Sequence, residues 1–298
     1  MRLSAIDIGS NACRLLISDV IKDPMGRPEF LKEALVRVPL RLGFDVFERG
    51  EISPRKRDQV IKTIQSYKLL LDVYDVKHLK ACATSAMRDA ANAAEILQQV
   101  KEETGITIRV ISGQEEATYI YENHIAENLS SEESYLYIDV GGGSTELTFF
   151  SDGRLVAKES FNIGTIRLLK NQVGDKEWNS MKEFIKAKTS GYHHITAIGS
   201  GGNINKVFSL SKRKEGKPLS LELLRSYHKD FSNLTVPQRI LQYKMREDRA
   251  DVIVPALQIY INVMRWSDAE DIFVPKIGLA DGLIHTLYEE VMASGIVH

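Results

Sequence analysis

Alternating apolar residues open the chain. Leu3 to Ile8 reads as a strand, Cys13 to Val20 as a second, and Gly9-Ser10-Asn11 as the turn between them. Asp23 to Pro28 is a further turn, and Glu29 to Arg37 predicts a third strand that completes a meander. Helical spacing then takes over at Val60, Ile64, Tyr67, Leu70 and Leu71, with Ser53 at the N-cap position and Pro54 at the first helical one. A short buried strand over 79–86, an amphipathic helix over 91–105 closed by Gly105, a strand over 107–112 and a helix over 113–129 follow. Strands and helices alternate, which predicts an α/β fold.

The pattern then restarts. Residues 134–161 predict a strand, a glycine turn, a strand, an Asp-Gly turn and a third strand, the same order as the N-terminus. The two glycine turns align as AIDIGSN and YIDVGGGST, and about one domain's length separates Asp7 from Asp139. An internal duplication accounts for this; two unrelated hairpins sharing Asp-x-Gly are the alternative. The remainder reads as helices over 178–188, 219–234, 236–243, 251–266 and 282–292, interrupted by one strand in HITAIGSGGN and a polar, basic loop from Ser211 to Pro218.

Composition narrows the class. Of 298 residues, 43% are hydrophobic, enough for a sizeable core, and 39 Lys and Arg against 40 Asp and Glu leave a net charge of -1. That balance gives no reason to expect a nucleic-acid or membrane-surface partner, so a polyanionic ligand needs a local basic patch. Cys13 and Cys82 sit in apolar contexts and read as core thiols, and no Cys/His cluster has zinc spacing. Asp7 interrupts the N-terminal apolar run, and no stretch approaches bilayer length, so a cytoplasmic, soluble protein is expected.

Three glycine-rich turns follow apolar strands: Asp7 to Asn11, Asp139 to Thr145, and Gly199 to Asn203. Glycine lets a backbone approach a ligand, and successive N–H groups aimed into one concavity bind phosphate oxygens. The hydroxyls of Ser10, Ser144 and Thr145 and the amide of Asn11 add donors. None of the turns matches a P-loop or a dinucleotide fingerprint. Asp7, Asp139 and Glu146 flank the first two turns. A carboxylate beside a phosphate is repelled unless a cation intervenes, and Mg2+ suits carboxylate and phosphate oxygens; capping of turn N–H groups is the alternative. Glu115 and Glu116 open a helix, where capping explains acids as readily as catalysis does. Arg88, following a buried strand, reads equally as a surface residue or a phosphate contact. The seven histidines are scattered, and no serine-hydrolase elbow is present. The basic runs at 55–57 and 212–214 fit either a polyanion track or solvated surface.

As a set, IDIGSN, ATSAMRDA, ISGQEEA, IDVGGGSTEL, IGSGGN, RADVIVPA and GLADGLI resemble the exopolyphosphatase/guanosine pentaphosphate phosphohydrolase family, in that family's order and over nearly the whole chain. The resemblance implies two ribonuclease-H-like domains of the actin and sugar-kinase superfamily flanking a cleft: residues 1–124, with a C-terminal helix over 280–298 packed back on them, and residues 125–279. It implies that Glu116 is the base that activates water and that Arg88 contacts phosphate. Gly9, Ser10 and Asn11, Gly141, Gly142, Gly143, Ser144 and Thr145, and Gly199, Ser200, Gly201 and Gly202 become phosphate loops. Asp139, Glu146 and Asp7 become ligands of Mg2+. Inorganic polyphosphate and guanosine phosphates are the expected substrates, and a homodimer is the default assembly. The chain resembles the short form of the family, without the helical region of its long members. A kinase of the same superfamily and a non-catalytic nucleotide switch are the rival classes.

Overall fold

The computed structural model describes residues 1–125, 133–275 and 278–295. The chain divides into two compact units, one of Met1–Asn123 with Gly278–His298, the other of His124–Ile277. The first begins with an antiparallel meander of β1 (Arg2–Ile8), β2 (Cys13–Lys22) and β3 (Pro28–Val38). α1 (Gly43–Arg49), α2 (Pro54–Val73), β4 (His78–Ala83), α3 (Ser85–Asp89), α4 (Ala93–Thr104), β5 (Arg109–Val110) and α5 (Gly113–Ile125) follow. The sheet order is β3-β2-β1-β4-β5, with β4 parallel to β1 and β5 parallel to β4. Nearly every residue of β1 is buried, as expected of a central strand covered on both faces.

Two local expectations change. Ser53 stands at the N-cap of α2, yet its hydroxyl donates to Asp45 Oδ2 at 2.5 Å, so the loop before the helix claims it. The strand expected over 107–112 shrinks to Arg109–Val110, while Ile108 and Ile111 bury their side chains outside the ladder. The end of the helix expected over 113–129, residues 126–129, lies outside the described residues.

The second unit repeats the meander with β6 (Ser134–Val140), β7 (Thr145–Ser151) and β8 (Arg154–Phe161). Then come α6 (Thr165–Leu169), α7 (Asp175–Thr189), β9 (Ile195–Ser200), α8 (Gly202–Ser211), β10 (Leu219–Ser220), α9 (Leu221–Ser232), α10 (Val236–Tyr243), α11 (Glu247–Ala250), α12 (Ile253–Trp266) and β11 (Asp271–Phe273). Its order is β10-β11-β9-β6-β7-β8, and β9 is parallel to β6 just as β4 is to β1. The duplication is thus visible in topology as well as in the turns. β10 and β11 are too short to leave a periodic signal, which is why this stretch read as all helix after β9. One face of the sheet, carrying Leu136, Ile138, Val140, Leu147 and Phe149, packs into a core with α7, α9 and α12.

The last helix, α13 (Leu279–Ser294), belongs to the first unit. Its Leu279, Leu283, Ile284, Leu287 and Val291 bury against Leu3, Ala5, Leu16, Val20 and Ile111. Ion pairs Lys32–Asp281 (2.7 Å) and Lys80–Glu290 tie it to β3 and β4. Leu283 is fully buried in this contact. Leu283→Ala is therefore expected to lower unfolding free energy by about 2–5 kcal/mol, read from urea denaturation.

Candidate active site

Pairing register builds a polar row across the second unit's sheet. Asp139 on β6 faces Glu146 on β7 and Ser200 on β9, and Glu146 in turn faces Ser160 on β8. Opposed residues project from the same face, and here that face lies opposite the apolar core of Leu136, Ile138 and Val140. Ser200 Oγ donates to Asp139 Oδ1 at 2.6 Å, and Ser160 Oγ donates to Glu146 Oε1 at 2.9 Å. Glu146 is 3% exposed, and the two carboxylates approach within 4.8 Å. Two like charges so placed destabilise a sheet unless a cation offsets them. The donor set is all oxygen, which suits a hard divalent ion such as Mg2+.

The glycine turn beside this row is braced from one side. Thr165 N–H donates to Gly141 O, Ile166 N–H to Gly142 O, and Arg167 Nε to Gly143 O. A trans peptide points its N–H opposite its C=O. Anchoring these three carbonyls therefore turns the N–H groups of Gly142, Gly143 and Ser144 away from α6, together. Gly164 makes the contact possible: a Cβ there would lie 2.4 Å from Gly142 O. The Thr145 hydroxyl donates to Ile163 O at 2.6 Å and is fully buried, which helps to shape the turn.

The third glycine turn caps α8. Gly201 has φ +106, a conformation side-chain-bearing residues rarely adopt, and a Cβ there would lie 3.2 Å from Val140 O and 3.4 Å from Asp139 Oδ1. Tyr260 donates to Ser200 O; burial and then the Asp139 charge push its phenol well above the ordinary range. Gly199 leaves room for a neighbour, since a Cβ there would meet the Ile272 side chain at 2.7 Å. Arg249 lies over Gly202 and donates to Asn203 Oδ1 at 3.1 Å, which places a guanidinium at the start of α8. Sequence spacing gave Arg249 no role, because α11 brings it there from far along the chain. Asp251 acts on the buried Arg239, which donates to Phe231 O and Ala250 O, so that pair serves helix packing.

In the first unit the turn after β1 has the same closure: Gly9 N–H donates to Ala12 O at 3.0 Å, as Gly141 N–H does to Ser144 O at 2.9 Å. Gly43 and Arg41 N–H groups anchor the Ser10 and Asn11 carbonyls, which turns the Asn11 and Ala12 N–H groups the other way. The Ser10 hydroxyl is hydrogen-bonded to Ser85 Oγ at 2.7 Å, joining the turn to α3. Asp7 pairs with Arg14 at 2.7 Å; burial raises its carboxyl and Arg14 opposes the rise. Arg14 was missed as a candidate, although the hairpin register held the signal. Arg88 donates to Ile111 O at 2.7 Å, close to where α5 begins. The two glutamates of α5 separate clearly. Glu115 is spent on the Ser112 N–H and on Arg109, which together lower its carboxyl, whereas Glu116 is 8% exposed. The run at 55–57 is largely committed, with Lys56 paired to Asp45 and Arg57 to Glu95.

Residues 26–290 match the model of the Ppx/GppA phosphatase family. The chain belongs to the Ppx/GppA phosphatase family. These proteins are hydrolases, and the two sheets here are the ribonuclease-H-like sheets of the actin and sugar-kinase fold. Exopolyphosphatase 1 of Mycobacterium tuberculosis is 26% identical over 305 residues, covering 95% of this chain and 87% of that protein. A bifunctional 3-dehydroquinate synthase/phosphatase of Fusobacterium nucleatum is 34% identical over 193 residues; the match takes in 62% of this chain and only 29% of that longer protein. The crystal structure of an exopolyphosphatase from Cytophaga hutchinsonii superposes with TM-score 0.81 at 25% identity, covering 100% of this chain and 99% of that one. Among the described residues, no helix of this Ppx/GppA member is long and apolar enough to cross a membrane.

The brace behind the glycine turn gives a test. Gly164→Ala forces Gly142 and Gly143 to move, and displacements of about 1 Å at such sites cost about a hundredfold. Phosphatase activity per folded enzyme is expected to fall by about that factor, and the melting temperature to drop as well, since the clash is with backbone; a single cooperative transition shows that the variant still folds.

Proposed function

We propose that the chain hydrolyses the terminal phosphoanhydride of inorganic polyphosphate, with guanosine pentaphosphate as the competing substrate. One observation carries the reading: the Asp139–Glu146 carboxylate pair stands beside a turn whose N–H groups are aimed together. A cation for the acids and a phosphate for the amides satisfy both at once. The exopolyphosphatase names of the Mycobacterium and Cytophaga relatives favour polyphosphate.

Main-chain N–H groups of the turns at 9–12 and 141–144 grip phosphate oxygens, and the start of α8 with Arg249 adds a third contact. Arg88 supplies positive charge near the start of α5, held by the Ile111 carbonyl. Asp139 and Glu146 hold Mg2+, and the Ser200 and Ser160 hydroxyls fix the carboxylate orientations. Bound there, the ion offsets charge on the phosphoryl oxygens. Glu116 takes a proton from the water that attacks the terminal phosphorus in line with the leaving oxygen. The family resemblance and its buried position in the first turn of α5 support Glu116 in this role.

Glu116→Gln keeps the shape and removes the base. Phosphate release is expected to fall by about 10²–10⁴-fold, while polyphosphate binding measured by calorimetry persists. Near-normal turnover in that variant removes Glu116 from the mechanism. Released phosphate measured side by side from polyphosphates and guanosine pentaphosphate decides the substrate, and preference for the nucleotide overturns the polyphosphate reading.

A further inference from the structure

The two units carry matching rows of opposite charge. Across β8-β7-β6-β9 the register aligns Ser160, Glu146, Asp139 and Ser200. Across β3-β2-β1-β4 it aligns Arg37, Arg14, Asp7 and Cys82. Asp7 and Asp139 are equivalent, but the residue facing Asp7 is an arginine where the residue facing Asp139 is a glutamate.

The contacts follow the charges. Arg14 Nη1 donates to Asp7 Oδ2 at 2.7 Å, and the Asp7 side chain is 5% exposed against 33% for Arg14. The same Nη1 lies 3.9 Å from where a Gly9 Cβ would stand, so the guanidinium runs alongside the first glycine turn. A buried carboxylate already bonded to a guanidinium has its countercharge. A dication approaching Asp7 meets Arg14, a like charge, at close range, and Arg37 adds a second on the next strand. The residues around Asp7 therefore do not fit the divalent site that the family resemblance implies for it.

We propose that Asp7 binds no divalent cation. Asp7 is a positioning residue that holds Arg14, and Arg14, backed by Arg37, presents positive charge to a phosphate of the substrate beside the Gly9 turn. One row thus offers negative charge to a metal and the other offers positive charge to an anion. This rests on the reading that the chain cleaves a phosphoanhydride with the metal at Asp139 and Glu146.

Mn2+ binding to the full chain, followed by electron paramagnetic resonance without substrate, tests this apart from hydrolysis. Asp7→Asn is expected to leave Mn2+ affinity within about twofold of wild type, while Asp139→Asn weakens it by about tenfold or more. In steady-state assays Asp7→Asn is expected to raise KM for polyphosphate, with the Mg2+ concentration for half-maximal rate unchanged. Because Asp7 acts through Arg14, that KM effect should vanish in an Arg14→Gln background. A tenfold loss of Mn2+ affinity in Asp7→Asn overturns the proposal, as do KM effects of the two substitutions that simply multiply. Should Asp7→Asn fail to fold, Arg14→Gln carries the test: raised KM is expected, and a wild-type KM overturns it. If the wild type binds no Mn2+, the metal reading of the second unit fails, and the KM cycle still decides the Asp7–Arg14 assignment.

Discussion

Hairpin register is the constraint on which the rest of the site depends. In each unit a strand ends in Asp, turns through a short loop and returns, and the returning strand sets one residue opposite that Asp. Because side chains alternate faces with a period of two, shifting either hairpin by one residue would move its partner to the other face of the sheet. The Asp139–Glu146 pair and the Asp7–Arg14 pair both exist only in the observed register. In the second unit it concentrates negative charge at the sheet's polar face, and in the first it neutralises it.

The turns depend on bracing as much as on glycine. Three carbonyls of the second turn accept from Thr165, Ile166 and Arg167, and two of the first accept from Gly43 and Arg41. Since each peptide is planar, fixing its oxygen fixes its N–H. The direction of these N–H groups is therefore set by residues on the opposite side of each turn. The glycines remove Cβ atoms where the brace comes close, as Gly164 does against Gly142.

Much of this was legible in the chain. The two meanders, the amphipathic helices and the likeness between AIDIGSN and YIDVGGGST all follow from local pattern, and each has its counterpart in β1–β3, β6–β8 and the paired sheet orders. The same alignment places Arg14 over Glu146, so the opposed charges were present in the sequence but carried no meaning until strand pairing showed what each residue faces. The hydroxyls of Ser53, Thr145 and Ser10 each bond within the fold. A hydroxyl near a cap or a glycine turn has several partners within reach, and Asp45, Ile163 and Ser85 win by proximity that local sequence does not encode.

Sequence by itself determined the two long strand meanders, where glycine turns interrupt them, and which acids and cations stand seven residues beyond each Asp. Periodicity and turn chemistry act over a few residues, so they survive without a fold. Only the tertiary structure decided how distant groups are used. It put Arg249 over Gly202, buried Glu116 while committing its neighbour Glu115, and gave Asp7 a guanidinium where Asp139 has a carboxylate. Those outcomes rest on strand register and packing between residues far apart in the chain, and hydrogen-bond geometry there is fixed only once the backbone is in place.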